Sequence, residues 1–289
     1  MPDTPKRPPA LDHPEAAERS DGDDPTDRRA WLADRLPPSG RVHRGTAQVR
    51  LADARPGRRG RFDALARLLQ DVAEDDAHDA DLGDDIGWIL RRTAMTVERF
   101  PVLGERLDLV TFCSGTGARW AERTTLLAGE EGARVATRAI WVALDRRSGM
   151  PARLDDRFRE LYGPSAGDRR VHLRLTLPPP PNGSGATAVR PWPLRTADLD
   201  VWGHANNSIA WAAVEEALVD HPPTPLAAVV EHPAAALVPD AEPLLVLDHD
   251  QRERHLWLVA GTDGRLLAAA RLNRPGEELR TSGRAGALA

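Results

Sequence analysis

Cysteine is almost absent from this sequence, because Cys113 is the only one among 289 residues. A single cysteine excludes an internal disulfide and a zinc site built on several cysteines, and it favours a reducing, cytoplasmic setting. No run of about 18 apolar residues occurs, which excludes a helix long enough to span a bilayer. Metal-ligand spacing and a Gly-rich phosphate-binding loop are also missing, so the sequence predicts no metal and no cofactor.

Lysine is equally scarce, since Lys6 is the only lysine among 39 basic residues, and the formal net charge is −5. An acidic balance predicts no nucleic-acid partner, because nucleic-acid binding depends on a positively charged surface. The absence of a long apolar run likewise predicts no membrane association. Hydrophobic residues still make up 41% of the chain, enough for a buried core, and the length suits two domains of about 100–150 residues.

Three segments are too polar or too rich in proline to form a packed core. Residues 1–41 are predicted to be a disordered arm, since the first 40 hold eight prolines, nine acidic and six basic residues but few large apolar ones. Residues 177–185 (LPPPPNGSG) are typical of a linker, and the inter-repeat linker is placed at 156–187. The polar residues 275–289 are predicted to be a flexible tail.

Between these segments the same order of elements occurs twice, at residues 42–155 and 188–274. Each unit begins with a strand, continues with an apolar-faced helix and ends with about four antiparallel strands. The two hairpin glycines, Gly132 and Gly264, are 132 positions apart, which supports an internal duplication. Each helix must bury its apolar face against its own sheet. The predicted fold class is therefore α+β, a tandem (double) hotdog in which an antiparallel sheet wraps each long helix.

The densest group of chemically useful side chains lies at residues 195–208 (RTADLDVWGHANNS), between a strand and the second helix. Asp200 precedes His204 by four positions, and a carboxylate can hold an imidazole ring and raise its basicity. Such a pair could activate a water for attack on an ester-like carbonyl. Asn206 or Asn207 could cap the helix, whose free N–H groups could stabilise an oxyanion. Asp, Asn and Gly are also ordinary turn residues, which is the structural alternative.

The whole string resembles the signature R-x-S-D-L-D-x-N-x-H-x-N-N-x-x-Y of the acyl-acyl-carrier-protein thioesterases, plant and bacterial enzymes that end fatty-acid synthesis. Residues 69–73 (LQDVA) resemble that family's L-Q-E-x-A, residues 88–92 (WILRR) its W-V-L-S-R, and residues 138–145 (RAIWVALD) its R-A-x-S-x-W-V-x-x-D. The resemblance covers about residues 42–273. It implies a tandem hotdog whose N-terminal repeat shapes acyl selectivity and whose C-terminal repeat carries catalysis. Acyl carrier protein and its acyl chain are the implied partners.

The resemblance assigns roles position by position. Asp200 and His204 match the family's catalytic Asp and His, and Asn206 and Asn207 match the Asn pair that opens the helix. Trp202 stands in the place of the family's catalytic Asn, although an indole offers only an N–H donor. Downstream, the family's Glu falls on Ala235 and the plant enzymes' Cys on Ala236.

These departures leave two main hypotheses. In the first, the protein hydrolyses the thioester of acyl-ACP, either with His204 activating water or with Asp200 attacking the carbonyl. In the second, it is a catalytically degenerate hotdog protein that binds acyl chains or carrier protein without efficient turnover. A third hypothesis is a hotdog hydratase, which the H-x-N-N sequence at the start of the helix disfavours. Acyl-chain length, carrier versus CoA preference and oligomeric state, a homodimer included, stay open.

Three acidic positions outside the string are predicted to take no direct part in this chemistry. At about 1.5 Å of rise per helical residue, Glu215 and Glu216 are about 16 Å from His204 along the helix axis. Glu231 follows a strand, and a salt bridge at the rim of the pocket is the favoured interpretation.

Overall fold

The computed structural model describes residues 25–82, 86–181, 188–218, 222, 224–233, 241–249 and 254–273. Within these ranges ten strands form one antiparallel sheet, and four α-helices accompany it. The strands are β1 (His43–Gln48), β2 (Ile86–Arg99), β3 (Arg106–Thr116), β4 (Trp120–Gly129), β5 (Arg134–Asp145), β6 (Ala188–Pro191), β7 (Leu226–Glu231), β8 (Pro243–His249), β9 (Arg254–Ala260) and β10 (Leu266–Asn273). The helices are α1 (Pro25–Ala33), α2 (Phe62–Asp79), α3 (Asp156–Ala166) and α4 (Ser208–Glu216).

The strand order is β1-β3-β4-β5-β2-β7-β10-β9-β8-β6. Read from the centre outward, the two halves repeat the same pattern, so each half is one copy of a five-stranded unit. The copies join where β2 and β7 pair antiparallel, with Met95 opposite Ala228. One continuous sheet shared by two helix-bearing repeats confirms the predicted α+β tandem hotdog.

The central helices α2 and α4 lie against the sheet and against each other. Phe62, at the start of α2, stacks on Trp211 of α4 with ring centroids 5.5 Å apart. Both side chains are essentially inaccessible to water, and burying an aromatic side chain of this size contributes about 2–3 kcal/mol. The start of α2 lies beside the end of α4, where Phe62 bonds to Glu215, and the start of α4 lies beside Gln70 in the middle of α2.

Two helices lie where composition predicted no ordered structure. Helix α1 falls in the predicted arm, and its Leu32 is buried against Phe112 and Leu126 of the sheet. Helix α3 falls in the predicted linker, with Phe158 and Tyr162 buried in a separate cluster. Polar residues dominate both segments, so the few apolar side chains that anchor them carry little weight in a compositional argument.

The linker is also tied to the sheet by Glu231, which is 2% exposed. Its carboxylate accepts hydrogen bonds from the backbone N–H groups of Thr176 (2.9 Å) and Leu177 (3.0 Å). Arg92 of the neighbouring strand lies 3.4 Å away. Glu231 therefore forms a salt bridge as predicted, but a buried one that clamps residues 176–177. In the described part of the chain, no helix is long and apolar enough to cross a bilayer.

Candidate active site

A tight loop leads from the first strand of the second repeat into α4. Asp198, 6% exposed, accepts a hydrogen bond from the backbone N–H of Arg195 (2.8 Å) and a charged one from its guanidinium (2.7 Å). These bonds outweigh the effect of burial and hold the pKa of the Asp198 carboxyl below its usual value. The carbonyl oxygen of Asp198 accepts from the backbone N–H of Asn206 (2.8 Å). Asp198 thus fixes both ends of the loop.

Asp200 organises the tip of this loop. Its Oδ1 atom accepts from the backbone N–H groups of Trp202 (2.9 Å) and His204 (3.0 Å), and its own N–H donates to the carbonyl of His204 (2.7 Å). Gly203 has a φ of +77°, a conformation that favours glycine. The indole of Trp202 projects at the tip and is 70% exposed. Asp200 therefore holds the backbone that carries His204, and the side chain that replaces the family's Asn points outward.

The imidazole of His204 lies part-way between core and solvent. Within the described ranges, no hydrogen bond joins it to another group. Asn206 caps the helix, since its Oδ1 atom accepts from the backbone N–H of Ser208 (2.9 Å). Asn207 already has helical backbone angles and makes no capping bond with its side chain.

Asn207 instead lines a cavity of about 20 Å³. Trp211 of α4 also reaches this cavity, whereas its other walls come from the first repeat. Gln70 of α2, Thr93 of β2 and Trp141 of β5 are among those walls. The cavity therefore lies between the repeats, and of the predicted site residues it includes Asn207 but neither Asp200 nor His204.

The first repeat contains a copy of the same loop, 145 positions earlier. The backbone N–H of Arg50 donates to Asp53 (2.8 Å) as that of Arg195 donates to Asp198. The N–H of Arg55 donates to the carbonyl of Arg59 (3.0 Å) as Asp200 donates to His204. Arg-x-Ala-Asp occurs at both places in the sequence, and this repeated tetrapeptide is a further signal of the duplication. Arg55 and Arg59 occupy the positions of Asp200 and His204.

The copied loop is closed by a carboxylate from the other repeat. Glu215 of α4 accepts a hydrogen bond from the backbone N–H of Phe62 (3.0 Å). It also forms ion pairs with Arg55 and Arg59, and Glu215 and Arg59 are both buried. Glu215 therefore lies outside the predicted site, as expected, but has a buried structural role, whereas Glu216 forms an exposed ion pair with Arg190.

The remaining candidates divide into two groups. Ala235 and Ala236, to which the sequence resemblance assigns the family's Glu and Cys, lie outside the described residues. Cys113 is buried, and burial raises the pKa of its thiol, as for a core residue rather than a nucleophile. Among the described side chains, no cluster of three His, Cys, Asp or Glu could hold a metal ion.

Solved structures of other proteins share this architecture. The 12:0-ACP thioesterase of Umbellularia californica covers 81% of this chain and 97% of its own, with a TM-score of 0.65 and 21% identity. An acyl-ACP thioesterase of Bacteroides thetaiotaomicron covers 80% and 97%, with a TM-score of 0.64 and 14% identity. These likenesses confirm the tandem hotdog fold.

Sequence comparison identifies the family. The profile of the acyl-ACP thioesterase N-terminal domain matches residues 40–162. The Mycobacterium tuberculosis protein named "Uncharacterized protein Rv2001" is 30% identical over 240 residues, 81% of this chain and 94% of that protein. This chain belongs to the acyl-ACP thioesterase family, which confirms the family resemblance and supports a thioester hydrolase.

Proposed function

We propose that the protein hydrolyses acyl groups carried as thioesters on acyl carrier protein and releases free fatty acid. The observation that carries this proposal is the cavity between the repeats, whose wall includes Asn207 at the start of α4. The loop just before α4 holds Asp200 and His204 at the positions of the family's catalytic Asp and His. Similarity to thioesterases that act on acyl-ACP supports the carrier-linked substrate.

In the proposed reaction, the oxygen of a water molecule bonds to the thioester carbonyl carbon while His204 accepts the proton from the water. The C–S bond then breaks, and the departing thiolate takes the proton from the imidazolium. Asp200 acts as a positioning residue, because its carboxylate accepts a hydrogen bond from the backbone N–H of His204. No metal or cofactor takes part in this scheme. The products are a fatty acid and the free thiol of the carrier.

The test is a substrate panel. Acyl chains of increasing length are presented on acyl carrier protein, on CoA and on pantetheine, and fatty-acid release is measured. We expect release from the carrier-linked series with the highest kcat/KM. Preference for CoA or pantetheine would contradict the carrier-linked part of the proposal, and no release from any series would contradict hydrolysis.

A second candidate is an acyl-binding or carrier-binding protein without efficient turnover. The exposed position of Trp202, where the family has a catalytic Asn, favours it. In that case the folded protein binds acylated carrier but releases no fatty acid. Titration of the carrier, with and without an acyl chain, separates the two candidates.

A further inference from the structure

The imidazole of His204 is placed by the backbone that carries it, because no described residue forms a hydrogen bond with the ring. Leu199 and Ala205 pair as an antiparallel bridge. Next to this bridge, the N–H of Asp200 donates to the carbonyl oxygen of His204 (2.7 Å). Residues 198–206 therefore form a small hairpin that carries His204 and leads into α4.

Two carboxylates hold this hairpin in different ways. In the described part of the chain, the hydrogen bonds of the Asp200 carboxylate stay inside the hairpin, on the backbone N–H groups of Trp202 and His204. The Asp198 carboxylate instead reaches back to Arg195, three positions before the hairpin begins, and accepts from its backbone N–H (2.8 Å) and its guanidinium (2.7 Å). Asp200 therefore shapes the hairpin, whereas Asp198 fixes it to the chain that enters it from β6.

The first repeat contains the same anchor without a catalytic side chain. In the copied loop, residues 53–61 form the corresponding hairpin, and the N–H of Arg61 closes it on the carbonyl oxygen of Asp53 (2.9 Å). The Asp53 carboxylate accepts from the backbone N–H of Arg50 (2.8 Å), three positions earlier. Arg59 stands in the place of the imidazole. Loss of the anchor in the copied loop therefore reports the structural effect of the anchor alone.

The position of the imidazole determines whether it can act as a general base. A general base removes a proton only within hydrogen-bond reach, about 2.6–3.2 Å between heavy atoms. A misplacement of about 1 Å is enough to cost about 100-fold in rate. An anchor at the base of the hairpin therefore affects the step in which water attacks the thioester. Asp198 does not line the cavity between the repeats, so substrate affinity depends on it much less.

We propose that Asp198 is a positioning residue for the proposed hydrolysis. Anchored on Arg195, its carboxylate sets where the hairpin presents the imidazole of His204 to the thioester. Asp198 touches neither the substrate nor the attacking water, and the proton still goes from the water to His204 and then to the departing thiolate. This inference rests on the proposed function and extends its site to Arg195.

Alanine and asparagine at position 198 separate the loss of the anchor from the loss of the charge. Asp198→Ala removes the acceptor, so we expect kcat to fall about 10- to 100-fold with KM changed less than about threefold, as for an interaction that acts on the reacting step. Asp198→Asn keeps an oxygen that can accept from the N–H of Arg195, so it should recover most of the lost kcat. Asp53→Ala makes the same change in the copied loop and should keep kcat within about twofold.

A milder pair of variants covers the case in which Asp198→Ala does not fold. The guanidinium of Arg195 is largely exposed, and Arg195→Ala leaves the backbone N–H in place. We expect Arg195→Ala to lower kcat about 3- to 10-fold, as for a smaller displacement of the hairpin, and Arg50→Ala in the copied loop to leave kcat unchanged. Thermal unfolding checks that every assayed variant is folded. Wild-type kcat in folded Asp198→Ala, or in Arg195→Ala where the former does not fold, would overturn the assignment, as would an equal loss of kcat in Asp53→Ala.

A spectroscopic measurement keeps the assignment distinct from the proposed function. The imidazole of His204 is observed by NMR, with His204→Ala to assign its signals. We expect Asp198→Ala to shift these signals and Asp53→Ala to leave them unchanged. If the wild-type protein hydrolyses nothing but shows this difference, hydrolysis fails and the placement of His204 by Asp198 stands. Identical His204 signals in wild type and Asp198→Ala would overturn the placement.

Discussion

The carboxylate of Glu215 in the second repeat accepts a hydrogen bond from the backbone N–H of Phe62 in the first, across 3.0 Å. The same carboxylate forms ion pairs with Arg55 and Arg59, which occupy the positions of Asp200 and His204 in the copied loop. One end of the paired helices is therefore closed by a buried ionic cluster, while the other end keeps a cavity beside Asn207. The duplication has produced one structural end and one candidate active end.

The buried cluster predicts a strong effect on stability. Glu215→Gln should lower the free energy of unfolding by about 3 kcal/mol, because breaking a buried pair leaves the charge of Arg59 uncompensated. Urea denaturation measures this difference. Glu216→Gln, one position further on an exposed surface, is the control and should change stability by less than about 0.5 kcal/mol. Equal effects of the two variants would contradict the role assigned to Glu215.

Substitutions of Asp200 distinguish two mechanisms, one in which its carboxylate only holds the loop and one in which it attacks the thioester carbonyl. If it only holds the loop, Asp200→Asn should keep most of the activity, since the carboxamide oxygen can still accept from the N–H groups of Trp202 and His204. Asp200→Ala should lose about 1–3 kcal/mol of stability, the usual range for two hydrogen bonds, together with turnover. Steady-state kinetics with thermal unfolding tests both variants. An inactive but stable Asp200→Asn would instead support direct attack by the carboxylate.

Trp202 is predicted to be dispensable for turnover. Its side chain is 70% exposed and does not line the cavity, and only its backbone N–H bonds to Asp200. Trp202→Asn, which introduces the family's residue, should therefore leave stability within about 0.5 kcal/mol and kcat within about twofold. A large gain in kcat would show that the Trp had weakened the site, and a large loss would give the indole a role of its own.

The lowered pKa of His232 predicts that the stability of the protein depends on pH. Burial, and then the charge of Arg91, lower the pKa of His232 to about 4, against about 6.5 in an unfolded chain. The unfolded state therefore binds the proton more readily than the folded state. The stability that the neutral His232 ring contributes is complete above pH 6.5 and is lost as the pH falls towards 4. One pKa unit corresponds to about 1.4 kcal/mol, which gives a loss of about 2 kcal/mol between pH 7.5 and 4.5.

The comparison is made with His232→Gln, which has no titrating ring at this position. Urea denaturation at the two pH values should show a drop for the wild-type protein that is about 2 kcal/mol larger than for the variant. Parallel losses in the two proteins would mean that other groups cause the acid sensitivity.

Local patterns in the sequence predicted the repeated units well. Alternating apolar residues mark β5, and helical spacing of apolar residues from Phe62 marks α2, because each element buries one face. The element order then determined the shared sheet. Helix α3 escaped prediction because Gly163 and Pro164 near its end are helix breakers by local rules, whereas the buried ring of Tyr162 provides the anchor.

The site was only partly predictable. The string around Asp200 and His204 identifies the loop, but the sequence does not reveal that Asp200 bonds backbone N–H groups rather than the imidazole. Gln70 and Trp141 occur in segments that resemble the family, yet their meeting at one cavity depends on how α2, α4 and β5 pack. Such contacts between distant segments are set by tertiary structure and leave no local pattern.

Hydrolysis with His204 as general base is tested most directly by fatty-acid release from acyl carrier protein, measured for the wild-type protein, His204→Ala and His172→Ala. His172 is exposed and outside the loop, so its variant controls for the loss of a histidine. We expect release by wild type and His172→Ala and at least a 100-fold lower rate for folded His204→Ala, within the usual effect of removing a general base. Undiminished release by His204→Ala, or no release by wild type, would contradict this mechanism.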